Sequence, residues 1–322
     1  MTDSHPVSNI VISLNAAIVT VDVDEAAIFV VRPVGASDRS LPYGPFEPAN
    51  HLTLERGLRT WVSEQTKLSL GYVEQLYTFG DQGRHSLPDQ PGVAHVSVGY
   101  LALTRRQTGE QQTPQGRWCN WYDFFPWEDW RKIKPPIIDD IIVPALESWA
   151  DKSQNPNTQQ RAHERINLCF GLSGLAWDEE KTLERYELLY EAGLVAEAAR
   201  KGRHQAKATL ARHMGQQMNH DHRRILATAM GRLRGKLKYR PVIFELMPPE
   251  FTLFELQRSV EAISGRHLHK QNFRRLVEKG GLVEATGTMS TTTGGRPASL
   301  FSFRREVLQE RPAPGLRVSA RR

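Results

Sequence analysis

The sequence predicts two consecutive globular units: a mixed α/β domain, then a smaller, basic α+β domain. Three observations carry that expectation. β-rich and helical-period stretches alternate over residues 10–103; a helix–turn–helix–strand–strand order occupies residues 251–303; and the sign of the charge changes between the two parts. Residues 222–322 hold 20 Lys and Arg against 8 Asp and Glu, a net +12, while the whole chain is +6, so the first 221 residues carry −6. A basic C-terminal third behind an acidic remainder is the electrostatic footprint of a nucleic-acid reader with a separate second task.

Length and composition set the outer bounds. A chain of 322 residues with 39% hydrophobic content is long enough for two packed domains. No stretch approaches the ~20 apolar residues of a membrane span. The N-terminal MTDSHPVSNIV has neither a basic start nor a cleavable apolar stretch, so no signal peptide and a cytoplasmic location are expected. Cys119 and Cys169 lie far apart with no partner at metal spacing, and each reads as a small buried hydrophobe.

In chain order, residues 10–20 and 26–31 read as a hairpin around Asp22 to Glu25. A long loop follows over 32–51. Leu54, Leu58, Trp61 and Val62 then mark a helix over 54–67, and residues 72–79 and 93–103 are further strands. Residues 117–130 pack seven aromatics into fourteen positions, which reads as core or a dimer contact, with a stacking platform for adenine as the sharper option. A helix is expected over 137–152, kinked by Pro144, then a polar break over 153–160 and helical sequence over 161–215. The basic, His-rich stretch 201–222 reads as a hinge helix. An amphipathic helix follows, with Ile225, Leu226, Ala229 and Leu233 inward and Arg223, Arg232, Arg234, Lys236 and Lys238 mostly outward.

The last unit is marked more sharply. Thr252 and Glu255 stand in capping-box register before Leu253, Leu256, Val260 and Ile263, and Gly265 ends that helix. A second helix over 269–279 puts Phe273, Leu276 and Val277 on one face and Gln271, Arg274 and Arg275 toward the other. Strands over 282–286 and 298–303 flank a polar, Gly-rich GTMSTTTGGRP. This is the outline of a winged helix, whose second helix enters the major groove while the wing lies on the backbone. Arg pairs bidentately with guanine and Gln with adenine, so Gln271, Arg274 and Arg275 are the expected base readers. Lys270, Asn272, Arg296 and the wing threonines are the expected phosphate contacts. A winged helix also serves as a plain protein-interaction module.

Two resemblances extend this reading. Leu41-Pro42-Tyr43-Gly44, Phe46 and the helix ending ERGLRTWVSEQTKL resemble the Nudix box, a glycine loop followed by a helix whose glutamates bind magnesium beside a pyrophosphate. Arg59 matches the box arginine and Glu64 one of its paired glutamates. Thr60, Ser63 and Thr66 stand where the box has glutamate, glutamate and glycine. One carboxylate does not replace the metal-holding cluster, so neither a catalytic residue nor a bound metal is expected. The whole order, including YTFGD, VSVGYLAL, LERYELLYEAGLVAEA, FTLFELQ, NFRR and GRPA, resembles the NrtR family of NAD-metabolism regulators, and more closely its longer NadQ-type repressors.

That resemblance implies an α/β (α+β) Nudix-like domain over 1–215 and a winged helix-turn-helix domain over 216–322. It implies a homodimer on palindromic operator DNA near NAD-biosynthesis genes, with no required cofactor. It also implies an adenine nucleotide effector, with NAD, ADP-ribose and ATP as candidates. In the family, arginines after FGD meet the ligand's phosphates; here that loop offers Arg84 and His85, which with Arg59 and Glu64 are the expected ligand residues. The plainer alternatives are an Arg59–Glu55 surface pair and a solvated Arg84. The rival function is a Nudix-type pyrophosphatase with Glu47 or Glu55 assisting Glu64 and an appended nucleic-acid domain.

Overall fold

The computed structural model describes residues 9–22, 24–33, 35, 38–81, 84, 93–106, 116–202, 208–290, 297–310 and 315–316. Strand β1 (Asn9–Asp22) is the axis of the main sheet. Its Ala16 to Val19 run is fully buried, as a strand covered on both faces must be. It pairs antiparallel with β2 (Glu25–Val31) and β3 (Tyr43–Pro45), and parallel with β5 (Val93–Leu103). Strands β4 (Tyr72–Phe79) and β6 (Gly116–Asn120) complete the order β4-β5-β1-β2-β6, with β3 off that path on β1.

Alternation along β1 sorts two cores. Leu14, Ala16 and Ile18 meet Leu58 and Val62 of helix α1 (Leu54–Thr66). Ala17 and Val19 belong to the other core, with the helical layer and the C-terminal unit. That layer holds α2 (Val143–Ala150), α3 (Pro156–Phe170), α4 (Thr182–Glu191), the four-residue α5 (Ala208–Ala211) and α6 (His222–Tyr239). The aromatic run lies inside it: Trp121, Phe124, Phe125 and Trp127 are completely buried, the core reading rather than the platform. Pro144 sits at the start of α2, where the preceding Ile138–Ile142 turn is π-helical, so the chain changes hydrogen-bond pattern rather than kinking a continuous helix.

Three expectations are corrected. The polar break is shorter than 153–160, because Asn155 caps α3 through its side chain and the helix starts at Pro156. No continuous hinge helix spans the described part of 201–222. After a 3-10 stretch Ala196–Gly202 and α5, residues 212–221 form an irregular strap. Beyond short turns at His213 and Met214, the strap's backbone bonds to remote segments: Gln216 N donates to Asp123 O (2.8 Å) and Asn219 N to Arg39 O (2.8 Å). Gly215 fits there at φ +76°, since a Cβ would come within 2.7 Å of the Asp123 and Phe124 carbonyl oxygens. Finally, Arg223 and Arg234 of α6 are buried rather than outward, because each meets a buried carboxylate, Glu197 and Glu128 respectively.

Helix α6 packs on β1, β4 and β5, on α4 and on α7 (Leu253–Ser264). The capping box at α7 forms as expected, with Thr252 and Glu255 bonding reciprocally, and Gly265 closes the helix at φ +72°. Helix α8 (Lys270–Gly280) follows. Strands β8 (Val283–Ser290) and β9 (Ala298–Phe303) pair antiparallel, with β7 (Phe251–Thr252) as a third strand that the sequence did not announce. Strand β8 runs further than residue 286: a register shift between Ala285 and Met289, with Gly287 at φ +81°, carries it into the polar wing sequence. The four-residue α9 (Val307–Glu310) ends the described chain apart from 315–316, and no helix among the described residues is long and apolar enough to cross a membrane.

A buried ionic junction joins the two parts. Glu128, with its side chain wholly inaccessible, receives Arg185 of α4 at 2.6 and 2.9 Å and Arg234 of α6 at 2.5 Å. Arg234 also donates to Ile263 O at the end of α7 (3.0 Å), and Trp130 N donates to Gly265 O (2.7 Å). Burial pushes the Glu128 carboxyl up, but the two guanidiniums together hold it below the usual carboxylate range. Glu128→Gln leaves two guanidiniums without their counter-charge and is expected to cost ~3–5 kcal/mol in urea unfolding. Asp22→Asn, at the half-exposed Arg106 pair, is expected to cost at most ~1 kcal/mol in the same measurement.

Candidate ligand and nucleic-acid sites

The glycine loop and α1 form one packed piece. Gly44 lies directly against the Trp61 indole, so any Cβ there would collide with the ring. Trp61 Nε1 donates to Pro45 O (2.8 Å), and Gln65 brackets Tyr43 by donating to its carbonyl (2.6 Å) and accepting from its N–H (3.2 Å). Thr66, at the box glycine position, donates to Val62 O (2.7 Å) and accepts from Leu68 N (3.1 Å), so its hydroxyl takes over the end of the helix.

Of the expected ligand residues, Arg59 pairs with Glu55 (2.9 Å) and donates to Leu70 O (2.7 Å) and Gly71 O (3.3 Å). It thus ties down the chain that leads into β4. Glu64 stands exposed on α1. Glu47 accepts from Asn50 (2.7 Å) and Glu55 from Arg59 (3.0 Å). Among the described residues no group of three or more His, Cys, Asp or Glu is placed to hold a metal.

Arg84 differs most from a solvated loop arginine. It is 12% exposed, bonds bidentately to Glu187 of α4 (3.0 and 2.6 Å), lies 3.7 Å from Asp221 and stacks 3.9 Å from the Tyr190 ring centroid. Arg224 of α6 joins the same cluster through Glu187 (2.6 Å), Asp221 (3.1 Å) and Asp81. Asp81 and Arg84, which follow β4, are therefore bound electrostatically to α6 and to α4 and the strap respectively. His85 lies outside the described residues.

Burial raises the Asp221 carboxyl to about 6 against the opposing pull of Arg224 and Arg84. Asp81, nearer solvent, is lowered chiefly by its bond from Arg224. Close by, His222 is held in one tautomer. Its Nδ1 accepts from Leu41 N (3.1 Å), which leaves Nε2–H to donate to Asn15 Oδ1 (2.9 Å). No composition signal announced either arrangement; the spacing of Asp221, Arg224 and Glu187 becomes meaningful only once the fold brings β4 beside them.

The α8 face is simpler. Phe273 and Val277 are buried beneath α8, while Lys270, Gln271, Asn272, Arg274 and Arg275 are exposed. Among the described residues none of the three cations has an ion-pair partner, so α8 presents uncompensated positive charge. Arg296 lies outside the described residues.

Comparison with known proteins gives the following. Residues 243–303 match the family model described as the NrtR DNA-binding winged helix domain. The chain is 40% identical over 100 residues to the ADPR-responsive transcriptional repressor NtrR of Acinetobacter baylyi, a match covering 31% of this chain and 40% of that protein. Shewanella oneidensis NrtR shares the fold, at TM-score 0.54 and 19% identity over 92% of this chain and 95% of that one; its complex with a 27mer DNA gives 0.51 and 20% over the same shares. A MutT/nudix family protein from Enterococcus faecalis matches at 0.50 and 14% identity, over 94% and 89%. The architecture is thus a Nudix-like domain carrying an NrtR-type winged helix.

The Asp221 environment predicts a proton linkage. The unfolded carboxyl ionises near 3.8 and the folded one near 6, so between these values the folded chain holds a proton that the unfolded chain has released. Asp221 should therefore make stability fall as pH rises through that window. Urea unfolding from pH 4 to 7 should show this slope in the wild type relative to Asp221→Asn; parallel profiles would refute it.

Proposed function

We propose that this protein is a transcriptional repressor of NAD-biosynthesis genes. It binds operator DNA through α8 and the wing, and a Nudix-like domain senses ADP-ribose. The observation that carries the reading is the unpaired cationic face of α8 within a segment matching an NrtR DNA-binding winged helix. In this reading residues 1–215 are the sensor and 216–322 the reader, with α6 packed against both. Gln271, Arg274 and Arg275 address base edges; Lys270, Asn272 and Arg296 address phosphates. A homodimer places two α8 helices on successive half-sites. Such a regulator acts in the cytoplasm and requires no cofactor.

ADP-ribose is preferred to NAD and ATP because the Acinetobacter relative is described as ADPR-responsive. Its diphosphate is expected beside Arg59, Glu64, Arg84 and His85. A phosphate that draws Arg84 away from Glu187 releases the β4 end from α4 and Asp221, the residue immediately before α6. Ligand then alters DNA affinity to the extent that it favours one of the two arrangements. We also propose that the domain does not hydrolyse its ligand, since Thr60 and Ser63 occupy acidic box positions.

A gel shift on NAD-biosynthesis promoters, titrated with ADP-ribose, NAD and ATP, tests this. Sequence-specific binding that responds to ADP-ribose at the lowest concentration is expected. Arg274→Ala should cost ~1–3 kcal/mol if it reads guanine, whereas Lys270→Ala should weaken all sequences alike and lower the salt slope by about one. Absence of promoter binding by the wild type at low salt would remove the repressor reading. In parallel, ADP-ribose with Mg²⁺ should yield no AMP; turnover above ~1 per second, an ordinary enzymatic rate, would favour the pyrophosphatase instead.

A further inference from the structure

The helical layer contains a second feature that the repressor reading does not use. An open cavity of about 510 Å³ lies at the surface between the end of α2, one face of α3 from Thr158 to Arg165 and the last residue of α4. It lies in the layer on the side of the sheet away from α1, and its lining includes no residue of the box loop or of α1.

The sequence of α3 explains its character. Thr158, Arg161, Ala162 and Arg165 follow i, i+3, i+4, i+7 spacing and line the cavity; the same stripe continues as Ile166, Cys169 and Phe170, which are buried. The stripe is therefore buried and apolar at its C-terminal end and cationic and largely exposed toward its N-terminal end, where the cavity lies. Trp149 and Ala150 supply an apolar wall and Lys152 a further cation.

The charges do not cancel. Arg165 is answered by Glu191. Lys152 and Arg161 have no ion pair or hydrogen bond from their side chains among the described residues. The neighbouring Asp151 is engaged by Gln159 (2.8 Å) and His163 (3.0 Å). A cavity of this size with an apolar wall, a Trp ring and two uncompensated cations suits a small flat molecule carrying a dianion.

We propose that this cavity binds an aromatic phosphate monoester, its ring against Trp149 and its phosphate between Lys152 and Arg161. The far end of α3 touches the ionic junction, since Cys169 O accepts from Arg185 (3.0 Å), the same arginine that holds Glu128. An occupant therefore sits on a helix whose far end bonds an arginine of that junction.

Calorimetric titration of the full chain with phenyl phosphate, inorganic phosphate and phenol tests the assignment. Phenyl phosphate is expected to bind at least about ten-fold tighter than inorganic phosphate, and Lys152→Glu/Arg161→Glu to lose about ten-fold or more. Trp149→Leu should reduce phenyl phosphate to the level of inorganic phosphate. Both cations are exposed, so the charge variant keeps its melting temperature; Arg161→Gln, a milder change, should lose affinity in the same direction. Phenyl phosphate binding no better than inorganic phosphate, or equally well to the charge variant, would overturn the proposal.

Discussion

The placement of the winged-helix unit relative to the sheet depends on one buried carboxylate. Glu128 sits between Arg185 and Arg234 with no access to water, and those arginines reach on to Cys169 and Asp178 in one direction and Ile263 in the other. Desolvating three charges is expensive, and an apolar trio would hold the same volume at less cost. What the ionic set supplies is direction: a bidentate guanidinium fixes angle as well as distance. The end of α7 and its turn are thereby oriented against the sheet domain, and α8 follows that turn after a few residues.

A second charged cluster lies at the opposite end of α6. Arg84, Asp81, Glu187, Asp221 and Arg224 join the end of β4 to the start of the helix. Helix α6 is thus held by ions at its first turn and again at Arg234, with apolar packing between. A helix anchored in this way transmits a shift at one end as a rigid body more readily than by bending. On the proposed reading, the effector's phosphates act at the first cluster and DNA registers the result beyond the second.

Much of the fold was legible. Periodicity located β1, β2, α1, β4 and β5, and the Thr252–Glu255 pair with Gly265 marked both ends of α7, because these signals are local. What was not legible is the fate of charge. Arg223, Arg234 and Arg84 look like surface residues in sequence; only the tertiary fold supplies the carboxylates that allow them to be buried. The 212–221 strap was misjudged for a related reason: its backbone partners, Asp123 and Arg39, are remote in the chain. The α8 face was readable because it needs no partner within the chain.

The packing of α6 has one further consequence. The same hydrophobic cluster includes Ala17 and Val19 of the sheet, Ile225 and Leu233 of α6, and Leu256 and Val260 of α7. Denaturant therefore finds no thin waist at which to divide the molecule, and melting should be a single all-or-none event. A protease that removed the basic third would strip the back of the sheet and leave a fragment prone to precipitate rather than a free-standing domain.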